Sequence, residues 1–320
     1  RLHRDRFRPL RDIKLALTCG EETIEAFDGL QYLLDHRREL LDAEFALNEG
    51  GYGLLDAQGR RILMGVQAGE KTPQDFRLEV LNAGGHSARP VKDNAIYRLA
   101  AGLTRLSQDD FPIQLNGTTR KYFQRMAAIE GGEIGGAMNA LVANPADAGA
   151  AALVSANPIW NATLRTTCVA TMLDAGHATN ALPQRARSNI NCRIFPGVQA
   201  EEVRLRLEQV LADPAITVMA LKTRAPVATP PELTHRILRP IEELMAEMYP
   251  GVPLVPMQAS GYTDGQFLNA AGIPTYGLGL FLDPDFGHIH GLNERIRVQS
   301  VYEGRDFLHA LVKRYASGLR

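Results

Sequence analysis

Along the chain, short stretches in which apolar and polar residues alternate are followed by stretches in which apolar residues recur with helical periodicity. The alternation of Ile13, Leu15 and Leu17 predicts a strand that runs to a glycine turn, and Glu21 and Glu22 follow that turn directly. On the same grounds, further strands are predicted at 44–49, 61–67, 76–80, 163–171, 186–194, 216–221, 254–258 and 275–278. Helical spacing predicts helices at 24–34, 94–106, 118–155, 203–211, 232–248 and 307–315.

The order of these elements predicts an α/β fold in which one domain interrupts another. Strands and helices alternate at both ends of the chain, and they flank an antiparallel unit with the strand and helix order of a ferredoxin-like fold. The predicted outer domain comprises 1–74 and 226–320, and the predicted inserted domain comprises 75–225 with a long helical segment of its own. Polar and proline-containing stretches at 71–74 and 223–231 are predicted to be the two linkers.

Composition and charge exclude several classes of protein. The 320 residues are 45% hydrophobic and 22% charged with a formal net charge of -1, which is typical of a globular protein and gives no sign of a nucleic-acid partner. No apolar run approaches the ~20 residues of a membrane span. The three cysteines, Cys19, Cys168 and Cys192, are an odd number without close pairing, so we predict free thiols.

The beginning of the chain is unusual for a natural N-terminus. It has neither an initiator Met nor the pattern of a signal peptide, and it runs within a dozen residues into a predicted strand. We interpret the chain as a fragment or processed form. A cytoplasmic and a periplasmic or secreted location both stay open.

Carboxylates follow two of the predicted strands at the point where each strand ends. Glu21 and Glu22 come after the first strand, and Glu49 comes after the second. Because the carboxyl ends of strands in an open α/β sheet border the ligand cleft, Glu22 and Glu49 are expected in one cleft. A pair of glutamates can divide the work of a hydrolase, one binding a metal and the other moving a proton. The pair alone is nevertheless more typical of a solvated helix start, just as a lone loop histidine such as His86 is more typical of the surface.

Seven short motifs, in a fixed order from one end of the chain to the other, resemble the M20 family of zinc amidohydrolases and metallopeptidases. This family includes aminoacylase and the carboxypeptidase G2 and S types. The motifs are Leu-Thr-x-Gly-Glu-Glu at 17–22, Leu-Asn-Glu-Gly at 47–50, Gly-Gly-His-Ser at 84–87, Asn-Ala-Leu-Pro at 180–183, Arg193 with Pro-Gly at 196–197, Thr-Asp-Gly at 263–265 and His-Gly-x-Asn-Glu at 290–294.

The resemblance implies a role for each matching residue. Glu22, Glu49 and His290 match metal ligands, and Glu21 matches the general base that takes a proton from the attacking water. Two Zn²⁺ ions per complete site are implied, since oxygen and imidazole donors suit zinc. In dimeric members of the family, the histidine that His86 matches reaches the partner's site to stabilise the oxyanion.

Two further positions matter to substrate binding. Asn180 and Arg193 match residues that hold a substrate carboxylate, as an amide and a guanidinium can. The resemblance also implies a small peptide or N-acyl amino acid as substrate. It further implies a homodimer that forms through the inserted domain.

The chain departs from the family pattern in two respects. Family members carry a His-x-Asp motif and a bridging Asp upstream of the Glu-Glu pair, and the His-Arg-Asp at 3–5 is too close to Glu21 to be that motif. Gln266 stands where many members have Arg after Thr-Asp-x. His288 and His290 would share a face if both lie in a strand, and the motif that follows His290 favours the latter.

The expected function is hydrolysis of an amide bond beside a free carboxylate, in a peptide or N-acyl amino acid. The alternative is a metal-poor, inactive homologue that binds a ligand or associates with itself, because three metal donors are visible and zinc takes four or more. A serine hydrolase is excluded by the absence of a Gly-x-Ser-x-Gly sequence.

Overall fold

A computed structural model describes residues 1–22, 27–223 and 225–318. The strands in these ranges are β1 (Ala46–Asn48), β2 (Gly53–Leu55), β3 (Arg61–Glu70), β4 (Thr72–Leu81), β5 (Gly85–His86), β6 (Thr167–Ala175), β7 (Ala181–Leu182), β8 (Arg185–Ile194), β9 (Ile216–Ala220), β10 (Leu254–Ala259), β11 (Thr275–Gly277) and β12 (Phe281–Leu282). The helices are α1 (Gly29–His36), α2 (Ala95–Gln108), α3 (Gly117–Glu130), α4 (Gly132–Ala143), α5 (Ala148–Ser155), α6 (Pro158–Leu164), α7 (Ala200–Leu211), α8 (His235–Met248), α9 (Asp264–Ala270) and α10 (Val298–Ala316), with 3-10 turns at Arg38–Leu40 and Phe286–His288.

A mixed sheet of six strands forms the larger layer. Its order is β1-β11-β3-β2-β12, and β10, which is off this path, pairs with β3 in parallel. Strand β3 is buried along most of its length because helices cover both faces of the sheet. Helices α8 and α10 pack on one face against Val66 and Ala68, and the helices of the segment α3–α6 pack on the other against Leu63, Val255 and Met257.

A four-stranded antiparallel sheet, in the order β6-β8-β4-β9, forms the smaller layer. Helices α2 and α7 cover one face of it, around a core that includes Phe76, Leu99, Ile190 and Leu207. The chain order β4-α2-β6-β8-α7-β9 is that of a ferredoxin-like unit. The predicted α/β fold with an inserted ferredoxin-like unit is therefore confirmed.

The helical segment α3–α6 packs with the larger sheet although its sequence lies inside the predicted inserted domain. Its buried residues, among them Phe123, Met138 and Leu164, belong to the same core as Val255 and Met257 of β10. A domain division at 75 and 225 stays a prediction, and we propose that this segment belongs with the outer unit.

The segment 13–17 is not a strand, although its alternation predicted one. It has no regular secondary structure, and Leu15 and Leu17 are 83% and 86% exposed. An alternating sequence becomes a strand only where a neighbouring strand takes its backbone hydrogen bonds, and in the described structure 13–17 lies in none of the three sheets. The helix predicted next begins later than expected, at Gly29 behind an Asp28 cap, and residues 23–26 lie outside the described residues.

The predicted linker at 71–74 is wrong, because these residues join two long strands almost without interruption. Strand β3 ends at Glu70 and β4 begins at Thr72, and the intervening Lys71 is 0% exposed. Polar residues and a proline suggested a loop. Pro73 is tolerated in β4 because it pairs with β8 on one side, whereas β9 reaches β4 only from Phe76 onward.

Two of the three cysteines are bonded, which corrects the prediction of free thiols. Cys168 of β6 and Cys192 of β8 are directly paired across the two strands and form a disulfide, while Cys19 is free and exposed. Their sequence separation of 24 gave no sign of this pairing, which follows from the strand register. Across the described ranges, no helix is both long enough and apolar enough to span a bilayer.

Candidate active site

Four carboxylates from three separate segments gather beside the larger sheet: Glu21, Glu22, Glu49 and Asp264. Burial and, after it, the negative charges of Glu49, Glu22 and Asp264 together raise the pKa of Glu21 to about 7. Burial and then the charges of Glu22 and Asp264 also raise the pKa of Glu49. Carboxylates that raise one another's pKa by repulsion between their negative charges form a site that favours a bound cation.

A tight turn at Gly20 brings the Glu-Glu pair to this position. Gly20 has φ +87°, and a Cβ atom on it would lie 1.7 Å from the carbonyl oxygen of Phe27. Only glycine fits this left-handed conformation and close approach. The glycine therefore serves the turn that the sequence predicted, even though the strand before it is absent.

His290 approaches Glu22, with 3.9 Å between Nε2 of the histidine and Oε2 of the glutamate. It lies in a loop, with φ 60°, and neither His290 nor His288 lies in a strand. Because the backbone is irregular here, His288 and His290 do not share a face: His288 lies 3.3 Å from Asp285 instead. The choice of His290 over His288 stays a prediction.

The donors are of the types that bind zinc, but they are not assembled into a full coordination site. Within the described residues, no three His, Cys, Asp or Glu side chains are close enough together to hold a metal ion. His290 and Glu22 approach each other to 3.9 Å, and the charge of Glu22 contributes to the raised pKa of Glu49. The chemistry of the donor set fits a divalent cation such as Zn²⁺.

Asp264, which sequence reasoning placed only in a motif, holds the Glu-Glu segment to the sheet. It is the first residue of α9 and is buried, and its Oδ2 accepts a hydrogen bond of 2.7 Å from the Thr18 hydroxyl. Its Oδ1 is buried without a hydrogen-bond partner among the described residues. Burial raises the pKa of Asp264.

Glu70, which sequence reasoning missed, lies at the end of β3 and is 6% exposed. Its carboxylate accepts hydrogen bonds from the Thr263 backbone at 2.8 Å, the Thr263 hydroxyl at 2.7 Å and Gln67 Nε2 at 2.7 Å. Burial raises the pKa of Glu70 to about 7 in spite of these donors. An acid at the end of a strand was the available signal, the same one that pointed to Glu49.

His86 and Asn180 come together on a two-stranded ribbon of β5 and β7. His86 pairs with Ala181 in the ladder, and the Ser87 N–H donates to the Asn180 carbonyl at 3.1 Å. The Ala88 N–H donates to His86 Nδ1 at 3.0 Å, which places the proton of a neutral ring on Nε2. Both side chains are exposed, and in the described structure no hydrogen bond or ion pair joins them to the carboxylate cluster.

Arg193 lies in β8 at the junction of the two sheets, opposite Pro73 on one side and Thr167 on the other. The buried Lys71 is its neighbour: Lys71 Nζ donates to the Thr167 hydroxyl at 3.2 Å. Burial and, after it, the positive charge of Arg193 together lower the pKa of Lys71 to about 7. Within the described residues, no hydrogen bond joins Arg193 to the carboxylate cluster.

Gln266, the departure from the family pattern, is 1% exposed and holds the two chain connections between the sheets. Its Nε2 donates to the Thr72 hydroxyl and to the Pro226 carbonyl, both at 2.7 Å. These acceptors lie on the outgoing and the returning connection. The Gln266 side chain therefore links these two connections and supports the fold.

Comparison with known proteins bears on the family of this chain. Residues 68–218 match the M20_dimer family, described as a peptidase dimerisation domain. The chain is 29% identical over 281 residues to the human N-fatty-acyl-amino acid synthase/hydrolase PM20D1, and it is 25% identical over 317 residues to a probable carboxypeptidase S-like 2 of Dictyostelium discoideum. Together these matches support an M20 family peptidase or amidohydrolase.

The M20 fold extends over almost the whole chain. The crystal structure of Sso-CP2, an M20 family metallo-carboxypeptidase from Sulfolobus solfataricus, matches with a TM-score of 0.60 and 18% identity over 93% of this chain and 69% of that chain. The two sequence relatives are matched over 84% and 96% of this chain. The chain spans 55% of the length of the human relative and 60% of the Dictyostelium one.

Proposed function

We propose that this protein hydrolyses an amide bond in a peptide or N-acyl amino acid that bears a free carboxylate, with zinc as its cofactor. The observation that carries the proposal is the carboxylate cluster of Glu21, Glu22 and Glu49, with His290 3.9 Å from Glu22. Glu21 has a pKa near neutrality there, as a group that accepts and returns protons requires.

Glu22, Glu49 and His290 would hold the metal, as part of a coordination set of two ions. Bound zinc supplies Lewis-acid chemistry: it polarises a carbonyl and lowers the pKa of a water. Glu22, Glu49 and His290 are all exposed at the cluster, so an ion and a substrate can reach them.

Glu21 would move the proton of the reaction. As the water oxygen bonds to the amide carbon, a Glu21 carboxylate oxygen accepts the water proton. The same oxygen then gives that proton to the nitrogen as the C–N bond breaks, so the products are a carboxylic acid and a free amine. A group with a pKa near the working pH does both steps well.

His86, Asn180 and Arg193 would bind the substrate and the charge that develops on it. The Nε2–H of His86 can donate to the carbonyl oxygen as it becomes negative, because Nδ1 is already held by Ala88. The Asn180 amide and the Arg193 guanidinium can hold a substrate carboxylate. The names of the relatives support two candidate substrate classes: N-acyl amino acids and peptides with a free C-terminus.

The proposal is tested on the purified natural protein that contains this chain. Metal content is measured by mass spectrometry, and hydrolysis of N-lauroyl-leucine, N-acetyl-leucine and an N-blocked dipeptide is followed by the release of free leucine. We expect bound zinc, and activity that a chelator removes and added zinc restores. Absence of metal and of turnover under zinc-replete conditions would favour the inactive, ligand-binding or self-associating homologue.

We propose further that the protein forms a two-fold dimer through the smaller sheet. Strand β6 is at the edge of this sheet, and its side chains Val169, Met172 and Leu173 are exposed. An open edge with apolar side chains can pair with its twin about a two-fold axis. The family match to a peptidase dimerisation domain over 68–218 supports this surface.

If His86 acts in the partner's site, mixing two inactive variants should restore activity. In a hybrid of Glu21→Gln and His86→Ala subunits, one of the two sites has both groups intact. Random exchange of equal amounts should recover about a quarter of the wild-type activity, because half of the dimers are hybrids. Activity is measured after exchange has been verified by mass-tagged subunits. Complete exchange without recovery would show that His86 does not act across the dimer.

A further inference from the structure

We propose that the Thr263 hydroxyl and the Glu70 carboxylate form a clamp that positions the backbone around Glu49 and Asp264 for metal binding. This inference rests on the function proposed above. In the carboxylate cluster, Glu49 and Asp264 come from separate elements. Something must therefore fix the end of β1 relative to the start of α9.

Glu70 provides the fixed point of this clamp. It ends the buried strand β3, and both of its oxygens are used: Oε2 accepts from the Thr263 N–H, and Oε1 accepts from the Thr263 hydroxyl and from Gln67 Nε2. A carboxylate with three donors holds them in a narrow range of positions, since hydrogen bonds to a charged group are about twice as strong as neutral ones.

The Thr263 hydroxyl links three elements through a single oxygen. It donates to Glu70 Oε1 at 2.7 Å, and it accepts from Asn48 Nδ2 at 2.9 Å and from the Gly265 N–H at 3.0 Å. Asn48 directly precedes Glu49, and Thr263 directly precedes Asp264. The hydroxyl therefore ties the backbone on which Glu49 stands to the backbone on which Asp264 stands.

A second link runs through Gln67 to the loop behind Glu49. Gln67 donates to Glu70 from Nε2, and its Oε1 accepts from the Gly51 N–H at 3.0 Å. A Cβ atom on Gly50 would lie 2.5 Å from this same Gln67 amide, so the loop packs directly on it. Glu49 is thus held from both sides, by Asn48 and by Gly51, and both links lead to Glu70.

Removal of the hydroxyl should release Glu49 more than it weakens the fold. Groups that orient metal ligands typically contribute 10–100-fold to metal affinity when they are lost. Valine has the shape of threonine without the hydroxyl, whereas serine keeps the hydroxyl and loses only a methyl group. The pair Thr263→Val and Thr263→Ser therefore separates the hydrogen bonds from the packing.

Zinc affinity is measured by competition with a chromophoric chelator on the purified natural protein. We expect the zinc dissociation constant to rise about 10–100-fold in Thr263→Val and to stay within about threefold of wild type in Thr263→Ser. The matched control is Thr163→Val in α6. This variant also removes a buried hydroxyl, one that donates to the Ile159 carbonyl at 2.9 Å. It should lower the melting temperature without changing the zinc dissociation constant.

Hydrogen–deuterium exchange gives a measurement that does not depend on metal or activity. Amides of the segment 48–51 should exchange faster in metal-free Thr263→Val than in Thr263→Ser, while those of β4 should not change. Two results would overturn the clamp. One is exchange in this segment that is the same in Thr263→Val and Thr263→Ser. The other is a Thr263→Val variant that binds zinc as tightly as a wild type that does bind zinc. A wild type that binds no zinc would instead overturn the proposed function, and the exchange measurement would still decide the inference.

Discussion

Replacement of Glu21 by glutamine should reduce turnover by about 10²–10⁴-fold while zinc content stays at the wild-type value. The amide has nearly the shape of the carboxylate but cannot take the proton of the attacking water. Glu21 owes its raised pKa of about 7 to burial and to the charges of Glu49, Glu22 and Asp264. The variant relieves that repulsion, so we expect its melting temperature to be unchanged or higher.

The experiment compares kcat, KM and bound metal of Glu21→Gln and wild type in the natural protein. Glu133→Gln, an exposed glutamate of α4, is the matched control and should retain full activity. Because glutamine removes the proton acceptor and leaves the binding groups in place, the loss should fall on kcat and not on KM. Turnover of Glu21→Gln within a few-fold of wild type would remove Glu21 from the role of base.

Replacement of Lys71 by methionine should stabilise the protein, by about 4 kcal/mol at pH 6. The ammonium is completely buried, has the positive Arg193 as a neighbour, and donates to the Thr167 hydroxyl. Burial lowers its pKa from 10.5 to about 7, and such a difference corresponds to roughly 5 kcal/mol against the protonated folded form. Loss of the hydrogen bond to Thr167 offsets about 1 kcal/mol of the gain.

The stabilisation by Lys71→Met should depend on pH with a definite sign. Between about pH 7 and 10.5 the unfolded chain binds a proton at Lys71 that the folded chain does not, so the stability of the wild type rises with pH over this window. The advantage of the methionine variant is therefore largest below pH 7 and shrinks as the pH rises towards 10.5.

Unfolding by urea at several pH values measures this effect. The exposed Lys92 gives the control variant Lys92→Met, which should change the free energy of unfolding little at any pH. A destabilised Lys71→Met, or a stabilisation that does not vary between pH 6 and 10, would show that the buried ammonium is compensated in the folded protein.

The sequence by itself determined the architecture because that depends on periodicity over long stretches. The alternation in β4 and β8 and the helical spacing in α2 and α7 set the ferredoxin-like unit, and each of these elements buries the face that its pattern predicts. The sequence also singled out Glu21, Glu22, Glu49 and His290, because acids and histidines placed after strands or within family motifs are local signals.

Only the tertiary structure decided which residues support these side chains and which apolar segments become strands. Segment 13–17 has the pattern of a strand but no ladder partner, and a strand exists only through the hydrogen bonds of its neighbour. The polar sequence at 71–74 suggested a loop, yet Lys71 is fully buried where the chain passes from β3 to β4. Glu70 and Thr263 are 193 residues apart in sequence. They come into hydrogen-bond contact only because β3, which ends at Glu70, pairs with β10, which ends shortly before Thr263. Contacts of this kind depend on register and packing between distant segments, about which the periodicity of a single segment carries no information.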